Sequence, residues 1–257
     1  MVSILLREFT SPLIKMSRII IKASDVSAIV GKNIFKSRDE VFNDMWKKYS
    51  PENFNSKTKL DLAEESLAKS DTAKEVLQVA SKKRARDSDE VQKNFKEAEA
   101  KINSDPKLNN EDKKKVVEHL KSTVFTNHGT LKEDETARRT GLDLGRDLKF
   151  HQIHVGTYND RDYVVVGRVD RIETLEDGTK VLVEIKNRTR CLFKKVYPSE
   201  MVQIQVYLEM LGLTKAKLVE QFNKEINTIE VDRDEDMFKE IIKNLEDFCF
   251  EFSQVIV

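Results

Sequence analysis

The feature that most constrains this chain is a pair of acids set inside a sequence that reads as a β-hairpin. Residues 164–174 (VVVGRVDRIET) and 180–187 (KVLVEIKN) are rich in Val and Ile, and Glu176-Asp177-Gly178 supplies a turn signal between them. Asp170 lies in the first run and Glu184 in the second. If the hairpin turns symmetrically about Asp177, the two acids are equidistant from the turn and face each other, with Cβ atoms about 4.5–5.5 Å apart. Lys186 follows Glu184 by two residues and points to the same face. Facing carboxylates are destabilising unless a cation sits between them, so the arrangement asks for a metal. Hard oxygen ligands unaccompanied by Cys or His point to Mg²⁺ or Mn²⁺.

Lys and Arg number 45, as do Asp and Glu, so any case for a polyanionic partner rests on local patches. At 257 residues the chain is one large domain or a domain carrying an insertion. Two cysteines, Cys191 and Cys249, are too few for a four-thiolate zinc site or an iron–sulfur cluster and fit reduced thiols of an intracellular protein, in cytoplasm or nucleus. No apolar stretch reaches membrane-spanning length, and no membrane partner is expected. Near the start, Arg7, Lys15, Arg18 and Lys22 stand against a single acid, Glu8. Two readings fit: a mitochondrial targeting segment, or a strand or helix packed on the domain.

Three regions follow from the pattern. Residues 1–55 read as an N-terminal helical part of the domain. Ser24 or Asp25 caps a short helix ending at Gly31, and a second helix starts near residues 37–40, with Trp46 and Tyr49 on its core face. Residues 56–121 are dominated by charge and read as solvated helices, an insertion or arm with breaks near residues 70–72, 88 and 104–106. Within it, Lys82-Lys83-Arg84-Ala85-Arg86 is either a phosphate grip, an import-like signal or one polar helix face. Residues 122–257 carry the remaining core. Thr130 and Glu133 have capping-box spacing at a helix start, strands dominate residues 153–186 with a break at residues 158–161, and a helix opens at Ser199. In that helix Gln203 and Tyr207 share one face, and Gly212 closes it. Two more strands, at residues 217–222 and 228–231, and a helix over residues 236–255 complete an α/β (α+β) pattern.

Helix, three strands, helix and strand, bearing an acid, then Glu-x-Lys, then Gln-x-x-x-Tyr, resemble the PD-(D/E)XK nuclease superfamily, with Val169 where the motif has proline. Ile21-Lys22-Ala23-Ser24-Asp25-Val26, the segment His128-Gly129 to Ala137-Arg138 around Glu133, and Val202-Gln203-Ile204-Gln205-Val206-Tyr207 are similar to motifs of phage-lambda-type exonucleases and viral recombination (YqaJ-like) nucleases. The resemblance covers about residues 21–49 and 128–220 and leaves out the charged middle. It implies a restriction-endonuclease-like core, a mixed sheet flanked by helices, with a charged helical insertion. It also implies that Asp170, Glu184, the Ile185 carbonyl and Glu133 bind Mg²⁺ or Mn²⁺, that Lys186 serves the attacking water, and that Gln203 and Tyr207 fix the lysine and the scissile phosphate. Ser24 would contact the DNA backbone near a 5′ end.

Arg188, Arg190, Lys194 and Lys195 cluster behind Lys186 where a nucleic acid must pass, and Arg138, Arg139 and Arg168 add to the patch. Such cations bind phosphates without reading sequence. The expected activity is therefore metal-dependent DNA exonuclease, directed from a 5′ end on duplex DNA in recombination or repair. Single-strand flap trimming, including in mitochondria, is the alternative within that chemistry. A catalytically silent nucleic-acid-binding scaffold is the alternative outside it, with the insertion contacting a protein partner. The resemblance leaves both a monomer and a homo-oligomer open.

Overall fold

The structure, a computed structural model, describes residues 17–140 and 149–256. The targeting-like residues 1–16, and Gly141 at the end of the motif around Glu133, lie outside the described residues. In chain order come β1 (Ser17–Lys22), α1 (Ala23–Ile29), α2 (Arg38–Tyr49), α3 (Lys59–Ala68), α4 (Asp71–Lys82), α5 (Ser88–Asn103), α6 (Asn110–Arg139), β2 (His151–Tyr158), β3 (Arg161–Gly167), β4 (Arg171–Thr174), β5 (Lys180–Asn187), α7 (Pro198–Leu211), β6 (Lys215–Phe222), β7 (Glu225–Asp232) and α8 (Glu235–Ser253). The strands form two sheets, ordered β1-β3-β2 and β4-β5-β6-β7. Parallel pairing of β1 with β3 and of β5 with β6 mixes with antiparallel hairpins, so the chain is α/β with mixed sheets and flanking helices.

Several local signals act as the sequence chemistry dictates. Ser37 and Glu40 form a reciprocal capping box at α2, and Gly212 closes α7 at φ 63°, in the left-handed region where glycine meets no steric cost. The β4–β5 register matches a symmetric turn, with Arg171 opposite Val183 and Thr174 opposite Lys180. A main core joins α1, α2, α7 and α8 to the sheets. At its centre lie Tyr163, Phe248 and Phe252, and Phe42 meets the rings of Phe248 and Phe252 edge-on at 5.7 and 5.2 Å. Trp46 and Tyr49 pack against this core half-buried. Among the described residues no helix is long and apolar enough to cross a membrane.

The insertion departs from the solvated arm expected of it. α3, α4, α5 and the first half of α6 enclose a separate core of Leu67, Val91, Phe95, Ile102, Val116, Leu120 and Val124. Ala73, Ala80 and Ala98 are buried in the same core. The breaks fall where expected. Ser70 caps α4 through the Ala73 N–H at 3.1 Å and is itself bonded to Asp105.

Five other expectations are corrected. The Thr130–Glu133 spacing marks no helix start, because α6 runs unbroken from its Asn109 cap. Val116, Leu120, Val124 and His128 recur every fourth residue on its buried face, and one Gly, costing about 1 kcal/mol, does not interrupt such a run. The boundary drawn at residue 121 consequently lies inside α6. The apolar run 164–174 splits into β3 and β4, which join different sheets and leave Asp170 between them. α1 starts at Ala23 behind Lys22, with no side-chain cap, so neither Ser24 nor Asp25 is its N-cap. Finally, Lys83 to Arg86 form the exposed connection from α4 to α5 rather than a helix face.

Candidate active site

Asp170 stands one residue before β4, and its Oδ2 accepts the Ile185 N–H at 2.8 Å. The carboxylate thereby takes the place of the next strand residue and stays opposite Glu184. In an extended strand the N–H and C=O of one residue point to the same edge, so the Ile185 carbonyl opens to the Asp170 side as well. Glu184, 3 % exposed, is carried among the buried Val181, Leu182, Val183 and Ile185 of β5. Its Oε1 accepts from Lys186 Nζ at 2.8 Å, while its Oε2 is buried and has no hydrogen-bond partner among the described residues.

The electrostatics follow from that placement. Burial, and then the Asp170 charge, push the Glu184 carboxyl up to about 7, against the pull of Lys186. For Lys186, burial opposes the charge, but Glu184 and Asp170 more than offset it and raise the ammonium above its ordinary value. Lys186 also reaches Gln203 Oε1 at 3.3 Å, and Gln203 Nε2 donates to the Tyr207 hydroxyl at 3.2 Å. Burial and the Glu184 charge push the Tyr207 phenol up to about 12.

The structure thus brings together Asp170, Glu184, Ile185, Lys186, Gln203 and Tyr207. Glu133, half-buried near the end of α6, adds to the upward pressure on Glu184. Among the described residues no group of three or more His, Cys, Asp or Glu side chains is assembled to hold a metal, so the expected three-carboxylate set is not closed. Two carboxylates and a carbonyl nevertheless fit a small hard cation, since Mg²⁺ characteristically takes one or two carboxylates and completes its shell with water and phosphate. The unpartnered Oε2 of Glu184 is the observation that favours such an occupant.

Close packing fixes the far side of the site. A Cβ at Gly167 would come within 2.5 Å of Tyr207 Cε1 and 2.7 Å of Ala23 Cβ, so β3, α7 and the start of α1 meet there only because residue 167 is glycine. Ser24, next to Ala23, is exposed. On the other face Asn187 pins α6 to β5: its Oδ1 accepts the Thr136 hydroxyl at 2.6 Å, and its Nδ2 donates to the Gly129 carbonyl at 3.0 Å. Buried Arg171 pairs with Asp134 and donates to the Asp170 carbonyl at 2.6 Å. These supporting residues escaped the sequence reading. Arg171, a second charge beside Asp170 in an apolar run, was the available signal.

One expected phosphate contact is corrected. The Arg188 guanidinium bonds Glu200 Oε1 at 2.6 Å and Glu220 Oε1 at 2.7 Å, lies 4.5 Å from the Phe193 ring and is only 10 % exposed. Glu220, fully buried, also accepts the Lys194 N–H at 2.8 Å and Asn227 Nδ2 at 3.1 Å. Arg188 therefore anchors the loop between β5 and α7 and does not face a ligand. Arg138, Arg168, Arg190, Lys194 and Lys195 are exposed. Arg139 is spoken for in part, donating to the Asn223 and Lys224 carbonyls at 2.8 and 2.9 Å.

No family model matches the sequence, and no curated protein does. Among solved structures the chain is similar to an alkaline exonuclease (LHK-Exo) from Laribacter hongkongensis, at 17 % identity and TM-score 0.40, covering 75 % of this chain and 94 % of that one. A structure of LHK-Exo in complex with dAMP aligns at 18 % identity and TM-score 0.36, over 75 % and 91 %. A phage related exonuclease from Haemophilus somnus 129PT aligns at 12 % identity and TM-score 0.42, over 93 % and 96 %.

Proposed function

We propose that this chain is a metal-dependent DNA exonuclease that hydrolyses phosphodiester bonds, directed from a 5′ end on duplex DNA in recombination or repair. The observation that carries the reading is Glu184: a buried carboxylate with one oxygen unpartnered, facing Asp170 and tied to Lys186. Such a group is costly to a fold and makes sense where a cation and a phosphate complete it. The order of α6, β2 to β5, α7 and β6 fits the restriction-endonuclease-like core that the sequence resemblance implies.

In this reading Asp170, Glu184 and the Ile185 carbonyl hold Mg²⁺ or Mn²⁺, with Glu133 facing the same space. Bound there, such an ion would supply Lewis-acid charge for the phosphate and would lower the pKa of a water. Lys186, bonded to Glu184 at 2.8 Å, would orient the attacking water or stabilise its deprotonated form. It lies where it can hold an attacking oxygen against the phosphate. Gln203 sets its direction, and the Tyr207 hydroxyl sets Gln203. Arg138, Arg168, Arg190, Lys194, Lys195 and Ser24 receive the backbone phosphates around this point.

Digestion of linear, circular and single-stranded DNA labelled at either end, with Mg²⁺ and with chelator, tests the reading. Mononucleotides should appear from 5′-labelled linear duplex first, and circular DNA should survive. Cutting of closed circles at a comparable rate refutes the exonuclease assignment, and faster release from single strands moves the assignment to flap trimming.

A further inference from the structure

The charged insertion does not stand apart from the candidate active site. At the start of α5, Ser88 Oγ donates to the Arg188 carbonyl at 2.8 Å, the Ser88 N–H donates to Asn223 Oδ1 at 3.0 Å, and Gln92 Nε2 donates to the Thr189 carbonyl at 3.1 Å. The insertion thus latches onto the backbone that leaves β5 two and three residues after Lys186. Arg86 and Arg188 line one small polar cleft at this junction.

The latch joins two basic segments that are far apart in sequence. Lys83, Arg84 and Arg86 lie exposed on the α4–α5 connection, and Arg190, Lys194 and Lys195 lie exposed on the β5–α7 loop. Their internal partners are weak: Arg86 meets Glu90 at 3.2 Å and Lys83 meets Glu97 at 3.8 Å, both as exposed pairs. Exposed pairs contribute little and exchange readily for phosphate oxygens. Asp87 caps α5, accepting the Glu90 N–H at 2.9 Å, and with exposed Asp89 it offsets part of the segment's positive charge. The Lys195 ammonium lies 4.9 Å from the Tyr197 ring, which leaves its outer side to solvent.

We propose that the α4–α5 connection and the β5–α7 loop, held side by side by Ser88 and Gln92, form one cationic track that carries the nucleic-acid backbone away from the catalytic strand. The proposal rests on the nuclease reading and extends it by giving the insertion a task. The first cation of the track on this loop, Arg190, follows Lys186 by four residues, which even a fully extended chain would span in at most about 14 Å. Binding of this kind is sequence-independent and strongly salt-dependent.

The test is fluorescence anisotropy of a labelled duplex oligonucleotide in chelator, titrated over a range of salt concentrations. Two variants are compared with the wild type, each checked for an unchanged melting temperature. In the first, Lys83→Ser, Arg84→Ser and Arg86→Ser remove the insertion's cations. The slope of log affinity against log salt should shrink by about 2 or more, at about 0.9 for each phosphate that is no longer neutralised. In the second, Ser88→Ala and Gln92→Ala break the latch without changing charge, and part of the same slope should disappear. A wild-type slope in the first variant overturns the proposal and leaves the nuclease reading intact, the cations then facing another partner such as an acidic protein. A wild-type slope in the second alone shows that the two segments do not act as one track, which also overturns it. If the wild type binds no DNA, track and nuclease reading fall together.

Discussion

Replacing Arg188 by methionine separates a buried anchor from a phosphate-binding cation. The substitution keeps an unbranched apolar stem and removes a guanidinium held by Glu200 and Glu220, of which Glu220 is fully buried. Removing one partner of a buried ion pair leaves an uncompensated charge and costs about 3–5 kcal/mol. Glu220 retains the Lys194 N–H and Asn227 Nδ2, and Glu200 retains the Tyr197 N–H, so the lower end, about 3 kcal/mol, is expected. For a chain of this size that is a fall in Tm of roughly 6–12 °C. Thermal unfolding followed by circular dichroism measures it, and Arg188→Met combined with Glu220→Gln should recover part of the loss, because the stranded charge is gone. Arg190→Met is the control: Tm unchanged, and the salt slope of DNA binding reduced by about 0.9. A variant Arg188→Met that melts with the wild type but binds DNA with a reduced slope refutes the assignment of this arginine to the interior.

Gly167→Ala should lower Tm and activity together, since the new methyl must displace the Tyr207 ring; overpacking of this kind costs about 1–3 kcal/mol, and melting plus turnover on linear DNA checks it. Glu184 gives a pH signature. Its folded value of about 7 exceeds the ordinary value of 4.5, so its contribution to stability is fully present below the ordinary value and is lost as pH rises through the folded one. Without divalent metal the wild-type Tm should therefore fall as pH rises across that window, and Mg²⁺ should raise it more as pH increases, which thermal melts over a pH series with Mg²⁺ and with chelator check. Thr136→Val removes the donor to Asn187 and should cost about 1 kcal/mol by denaturant unfolding. Its activity loss should exceed that of an exposed substitution, because α6 carries Glu133.

Signals complete within a few residues were legible in the sequence. The turn around Asp177 fixed the β4–β5 register, Ser37 with Glu40 marked the start of α2, and Ser70 and Ser88 marked helix boundaries in the insertion. The facing of Asp170 and Glu184 followed from strand alternation about the same turn, and the sharing of one helix face by Gln203 and Tyr207 from helix periodicity, whereas the approach of Gln203 to Lys186 came only from the family resemblance. What escaped depended on partners distant in the chain. Arg188 looks like surface charge until Glu200 and Glu220 close on it, and Asn187 looks like a strand end until α6 supplies Thr136 and Gly129. The insertion's core escaped because its apolar residues are spread thinly over four helices and meet only when those helices pack together. Thr130 misled because a capping spacing means nothing inside a helix already propagating from Asn109.

The central claim is that Glu184 and Lys186 serve phosphodiester hydrolysis. Its most direct test is single-turnover cleavage of 5′-labelled linear duplex by wild type, Glu184→Gln and Lys186→Met, all shown to be folded, with Mg²⁺ and with chelator. The account predicts Mg²⁺-dependent release by the wild type and a loss of at least about 10²-fold in each variant. Equal cleavage by wild type and variants, or no cleavage of DNA by the wild type with Mg²⁺ or Mn²⁺, contradicts it.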